Sequence, residues 1–184
     1  MEGRTRAIGP ASGPLDAEVL FVAEAPGRLG ADRTGVPLSG DRTGHNFDAL
    51  LASAGIERRR VFVTNSVLCN PRRPDGQNDR PSAAELRNCA GHLRALVDLL
   101  DPPWVVSLGR AALAALALIE PHDRVLARDV GIAAPWNGRL LVPLYHPGPR
   151  AVARRGFAQH AADYAALAAL LEAGITMRKR RGDR

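Results

Sequence analysis

The chain has 184 residues, 46% of them apolar and 24% charged, values of a globular protein with room for one buried core. No apolar run reaches the roughly 20 residues of a membrane span, and the opening MEGRTRAIGP has no apolar stretch behind its basic flank; neither a transmembrane helix nor a secretory leader is expected, and a cytoplasmic setting is. The formal net charge is +6 and Lys179 is the only lysine. Arg-borne charge suits phosphates and base edges, although a genome biased toward Arg and Ala codons gives the same count.

In chain order, residues 1–16 are rich in Gly and Pro and read as an irregular arm. EVLFVA (18–23) is short, apolar and β-branched, the pattern of a buried strand, and it ends in the loop signal EAPGRLG. HNFDALLASAGI (45–56) reads as a helix closed near Gly55, and VFVTN (61–65) as a second buried strand. Residues 70–81, NPRRPDGQNDRP, form a polar, Arg-rich loop. Ser82 and Glu85 match a capping box. The helix behind them sets Leu86, Cys89, Leu93, Val97 and Leu100 on one face and stops at Pro102-Pro103. WVVSL (104–108) is a third strand, GRAALAALALI a short helix, and RLLVPLYHPGPR a fourth strand running into a loop. A last helix over 157–171 puts Phe157, Ala161, Tyr164, Ala168 and Leu171 on one stripe, and a basic tail occupies 177–184 beyond a single domain of 1–176.

Continuous apolar strands alternating with helices predict an α/β fold: a three-layer α/β/α sandwich around a central, mainly parallel four-stranded sheet. Ligands of such sheets bind at the carboxyl ends of the strands. Those ends carry Glu24-Ala25-Pro26-Gly27, Asn65, Ser107-Leu108-Gly109 and Tyr145-His146-Pro147.

These segments resemble a known family. VLFVAEAPG is similar to the first motif of the uracil-DNA glycosylase superfamily, above all its branches called families four and five. RTGVPLSGDRTG (33–44), VFVTNSVLCNP, VVSLGRAALAAL and LYHPGPRAV resemble the segments that follow it there, in the same order over residues 18–155. The resemblance implies an enzyme that flips a damaged base out of DNA and hydrolyses its bond to the sugar. It implies a monomer acting on single- or double-stranded DNA, and it needs no cofactor because water is the nucleophile.

The roles it implies fall on definite residues. Asn65 would read uracil, since a side-chain amide both donates and accepts; the alternative is an Asn capping the turn after its strand. His146 would donate to O2 of the leaving base, as an oxyanion donor does; the alternative is a His that only holds the loop before Pro147. Asp41, and after it Glu24, would activate water; Asp41 as a turn residue between glycines is the competing reading. Ala25, Pro26, Gly27 and Leu38 would line the base pocket. Pro147, Gly148, Pro149, Arg150, Arg154 and Arg155 would wedge and clamp the opened DNA. His92, His122 and His160 fall on helix faces or in a loop and are expected to be solvated.

Two departures from the family pattern matter. Leu38 stands where an aromatic usually stacks on uracil, and Phe47 is the aromatic weighed as its substitute; hypoxanthine or xanthine become candidate substrates. Those branches also hold a 4Fe-4S cluster on four cysteines, whereas only Cys69 and Cys89 are present, so no cluster is expected unless residues absent from this chain complete it. Two other readings remain. One is a catalytically weak DNA-binding member of the same fold, which Leu38 favours. The other is a nucleotide hydrolase, which the missing Gly-Lys-Ser/Thr ending disfavours. No Lys stands near a strand end, so Schiff-base lyase chemistry is not expected.

Overall fold

The computed structural model describes residues 6–182. Strands β1 (Val19–Ala23), β2 (Val61–Asn65), β3 (Trp104–Leu108), β4 (Ala134–Trp136) and β5 (Arg139–Leu144) form one sheet in the order β2-β1-β3-β5-β4. Every residue of β1, β2 and β3 is buried, as their unbroken apolar runs require of strands covered on both faces. Pairing is parallel from β2 to β5, with Val19 opposite both Val61 and Trp104.

The helices are α1 (Ala31–Thr34), α2 (Arg42–Ser53), α3 (Ala83–Leu100), α4 (Arg110–Ala117), α5 (Leu126–Asp129), α6 (Pro149–Arg155) and α7 (Phe157–Gly182). Alternation along each strand splits the core in two. Leu20, Val22, Phe62 and Val105 pack with Leu93 and Val97 of α3 and with Leu113 and Leu116 of α4. Phe21, Val63, Val106 and Val142 pack with Phe47 and Leu50 of α2 and with Tyr164 and Leu167 of α7. The result is three layers, helix on sheet on helix. No helix of the described residues is long and apolar enough to cross a membrane.

The structure corrects the expected elements in several places. The sheet has five strands instead of four. β4 is a three-residue antiparallel edge strand interrupted by Pro135, too short to show an alternating pattern. Its signal lay in Asn137-Gly138, both at positive φ (45° and 72°), the two-residue turn that joins tight hairpins. Helix α2 begins at Arg42 with Asp41 as its N-cap, three residues ahead of the expected start. Residues 149–155, expected as loop, are helix α6, which tolerates Pro149 because the first turn leaves its N–H groups without intrahelical partners anyway. Phe157 opens α7 but is 41% exposed and stands outside its stripe. α7 continues to Gly182, so the expected tail is helical as far as it is described; residues 1–5 of the arm and 183–184 of the tail lie outside the described residues.

Phe21, Phe47 and Tyr164 form an aromatic knot with centroids 5.2 to 6.4 Å apart. Tyr164 is fully buried and its hydroxyl has no hydrogen-bond partner among the described residues. An unpaired buried hydroxyl opposes folding. Tyr164→Phe should therefore leave the fold intact and raise the unfolding free energy by about 1 kcal/mol in urea denaturation.

Candidate active site

A cavity of about 480 Å3 opens at the carboxyl ends of β1 and β5. It lies beside the place where the chain, having run from β1 to β2, crosses back to β3, the kind of switch point where open α/β sheets bind ligands. Glu24, Ala25, Pro26 and Gly27, directly after β1, form one side. Leu38, Ser39, Asp41 and Thr43 form the second, and His146, Gly148, Pro149 and Arg150 the third. Asn70, Arg73, Asn78, Asp79 and Arg80 close the fourth.

Asp41 serves two masters. Its Oδ1 accepts the N–H of Gly44 at 3.0 Å and caps α2. Its Oδ2 is turned toward the β1 loop, where a Cβ on Gly27 would lie 3.0 Å from it and a Cβ on Gly30 only 2.5 Å. These glycines clear the space that the carboxylate fills. Glu24 faces the same cavity from β1; burial pushes its carboxyl above the usual range, and the Arg80 guanidinium opposes that rise.

His146 is oriented by its own loop. Gly148 N–H donates to its Nδ1 at 3.0 Å, so the neutral ring carries its proton on Nε2. Burial pushes the imidazole down to about 4, against the raising effect of the Asp41 charge. Asn46 of α2 donates its amide to the carbonyl of Pro147 at 2.8 Å and ties this loop to the Asp41 helix. Arg155, expected to clamp DNA, is turned inward instead: its guanidinium forks onto Asp163 and lies 4.6 Å over the Tyr145 ring. His160, expected to be solvated, is fully buried and meets the Tyr145 ring edge-on at 6.3 Å. Pro147 is buried, while Arg150 and Arg154 are exposed on α6; Arg150 lines the cavity.

Asn65 is not among the residues that line this cavity, although alternation along β2 sets its side chain on the α2–α7 face with Val63. As the last residue of β2 it is 2% exposed, and its amide nitrogen has no partner among the described residues. It lines a second cavity of about 320 Å3 with Arg6, Cys89 and His92. The amides that do reach the site are Asn70 and Asn78, in contact at 3.1 Å. Their signal in the sequence was the Pro-Asp-Gly turn between them, which folds the loop so that Arg72 bridges Asn78. Leu38 lines the cavity in the left-handed region, φ 49°, a conformation that costs a branched residue about 1 kcal/mol. Phe47 is wholly buried in the aromatic knot and offers no ring to the site.

The donor set does not fit a 4Fe-4S cluster, which takes four thiolates. The chain has two cysteines, and no group of three or more His, Cys, Asp or Glu converges among the described residues. Cys89 packs partly buried against the apolar core of the α3 layer.

Two measurements check this geometry. Gly30→Ala should cost about 1–3 kcal/mol in urea denaturation, because the added methyl meets Asp41 and the Ser39 carbonyl. Gly91→Ala, with open space around it on α3, should instead gain up to about 1 kcal/mol. His146 is held below its free value of about 6.5, so the native state binds fewer protons than the unfolded chain between there and about 4. Stability should fall as pH falls through that window, and His146→Gln should make the fall shallower in melts across the same range.

The family model described as the uracil DNA glycosylase superfamily matches residues 10–170. The type-4 uracil-DNA glycosylase of Thermotoga maritima is 32% identical over 136 residues, 73% of this chain and 67% of that protein. The type-4 enzyme of Sulfurisphaera tokodaii is 36% identical over 149 residues, 78% of this chain and 65% of its own. The type-5 uracil-DNA glycosylase of Pyrobaculum aerophilum is 34% identical over 153 residues, 76% and 65%. The chain thus spans about two thirds of the length of these relatives. With a match this long, over strands that gather their polar ends at one cavity, the chain belongs to the uracil-DNA glycosylase superfamily.

Proposed function

We propose that this protein is a monofunctional uracil-DNA glycosylase of base-excision repair, a cytoplasmic monomer that extrudes uracil from DNA and hydrolyses its N-glycosidic bond. The observation that carries the reading is the meeting of a carboxylate (Asp41), an oriented imidazole N–H (His146) and a pair of amides (Asn70 and Asn78) around one cavity. At about 480 Å3 the cavity has the size of a small-molecule pocket.

The base enters between the Ala25-Pro26-Gly27 loop and the Leu38 side chain. Asn65, whose buried amide nitrogen has no partner among the described residues, reads the polar edge of uracil, since a side-chain amide both donates and accepts; cytosine, with the opposite pattern, leaves it unpaired. The bond between base nitrogen and C1′ breaks with its electron pair leaving on the base. His146 donates through Nε2 to the O2 oxygen where that charge collects, a preorganised interaction that strengthens toward the transition state. Water adds to C1′, Asp41 orients it and takes its proton, and the negative carboxylate offsets the charge of the oxocarbenium-like sugar. The products are free base and an abasic site. No lysine lines the cavity, so the reaction stops there without strand cleavage through a Schiff base. Iron takes no part in these steps.

Release of labelled uracil from an oligonucleotide, with alkali revealing the abasic site, tests the assignment. Asp41→Ala should lower the rate by about 10²–10⁴-fold and His146→Ala by about 10²–10³-fold. Asn65→Ala should weaken discrimination against cytosine far more than Asn78→Ala, since the Asn78 Oδ1 is already held by the Arg28 N–H. Leu38→Phe supplies the missing π face and should lower KM for uracil DNA by about fivefold, the low end of base–aromatic stacking. Tight DNA binding with no base released by the wild-type protein would move the reading to a binding protein of this fold.

A further inference from the structure

Residues 70–80 are a stiff finger beside the cavity. Arg73 N–H donates to the Gln77 carbonyl, Gly76 N–H to Arg73 and Asp79 N–H to Pro71, each at 2.9 Å; Gln77 N–H donates to the Asp75 carboxylate at 3.0 Å and stiffens the tip. The finger is pinned to the β1 loop. Arg28 N–H donates to the Asn78 Oδ1 at 2.9 Å, the Arg28 guanidinium donates to Gln77 at 3.2 Å, and Arg72 is paired with Asp32, whose side chain is 5% exposed.

Those bonds sort the arginines of this region. Arg28 and Arg72 are spent on holding the finger. Arg73 and Arg80 are left facing the cavity rim. The nearest anionic partner of Arg73 is Asp79, with Nε 3.7 Å from its Oδ1, beyond hydrogen-bond reach, and that oxygen already accepts the Arg80 N–H at 2.8 Å. Across the opening stands Arg150, exposed on the first turn of α6.

We propose that this finger is the second jaw of a DNA-backbone grip, with Arg73 and Arg80 taking phosphates on one side of the extruded nucleotide while Arg150 takes one on the other. The inference rests on the glycosylase reading for its choice of partner. Extruding a base rotates its nucleotide about the backbone and costs a few kcal/mol of unstacking, phosphate contacts beside the pocket supply binding free energy against that cost, and backbone contacts fix register without reading sequence. A finger already closed by its own hydrogen bonds meets the strand with little ordering left to do.

The test is binding to undamaged duplexes of two unrelated sequences, measured over a series of salt concentrations. Arg73→Gln and Arg80→Gln should each reduce the slope of log K against log salt by about one, weaken binding about fivefold near 0.1 M salt, and do so equally for both sequences. Arg59→Gln is the control: Arg59 is paired with Glu57 just before β2, at the amino ends of the strands, and its slope should match wild type. Unchanged slopes in both finger variants, with wild-type melting temperatures, overturn the proposal; so does an equal loss in Arg59→Gln. Undamaged DNA is not cleaved, so a failure of the glycosylase reading shows only in base release and leaves this outcome legible.

Discussion

A strand buried on both faces has no side chain free for chemistry. In β1, β2 and β3 every residue is buried, and the hydroxyls of Thr64 and Ser107 and the amide nitrogen of Asn65 have no hydrogen-bond partner among the described residues. Function is therefore pushed to where the chain leaves the sheet, and parallel strands leave it at the same end. Glu24 follows the last residue of β1 by one position and His146 follows β5 by two, so sheet registry sets how far apart they stand. The loops between them then need only short excursions to add a carboxylate and two amides.

That constraint explains what the sequence made legible. Apolar runs located the parallel strands, and the rule of strand ends directed attention to Glu24 and His146. It directed attention to Asn65 as well, whose side chain alternation along β2 sets on the α2–α7 face with Val63, though Asn65 is not among the residues that line the cavity. The chain needs five more residues beyond Asn65 to reach the cavity, at Asn70. Asn78 was hidden for a different reason: it arrives by a hairpin turn across a loop whose composition reads only as polar and charged. Arg155 too stands where composition did not point. Its neighbours made it look like part of a basic clamp, while a carboxylate one helix later, Asp163, captured it.

The site is also held from beneath by groups with no place in the chemistry. Asn46 ties Pro147 to α2, and the Arg155–Asp163 pair braces Tyr145, the residue next to His146. These contacts fix the imidazole by its loop backbone. Preorganisation of this kind is what gives a single hydrogen bond catalytic weight, since no reorganisation is needed as charge develops.

The two carboxylates can be ranked on the same ground. Glu24 sits where burial resists its negative form, which raises its basicity without fixing the plane of its carboxyl. Asp41 has one oxygen on the N-terminus of α2, where backbone dipoles stabilise negative charge, and the other packed against glycines that leave no room for a competing side chain. Capping a helix and activating water are usually separate tasks. In the proposed mechanism one residue does both: the cap fixes the carboxylate plane, and the bare Cα of Gly30 leaves room for its second oxygen. The helix start that the sequence reading placed three residues late is thus part of the same arrangement that sets the carboxylate beside His146.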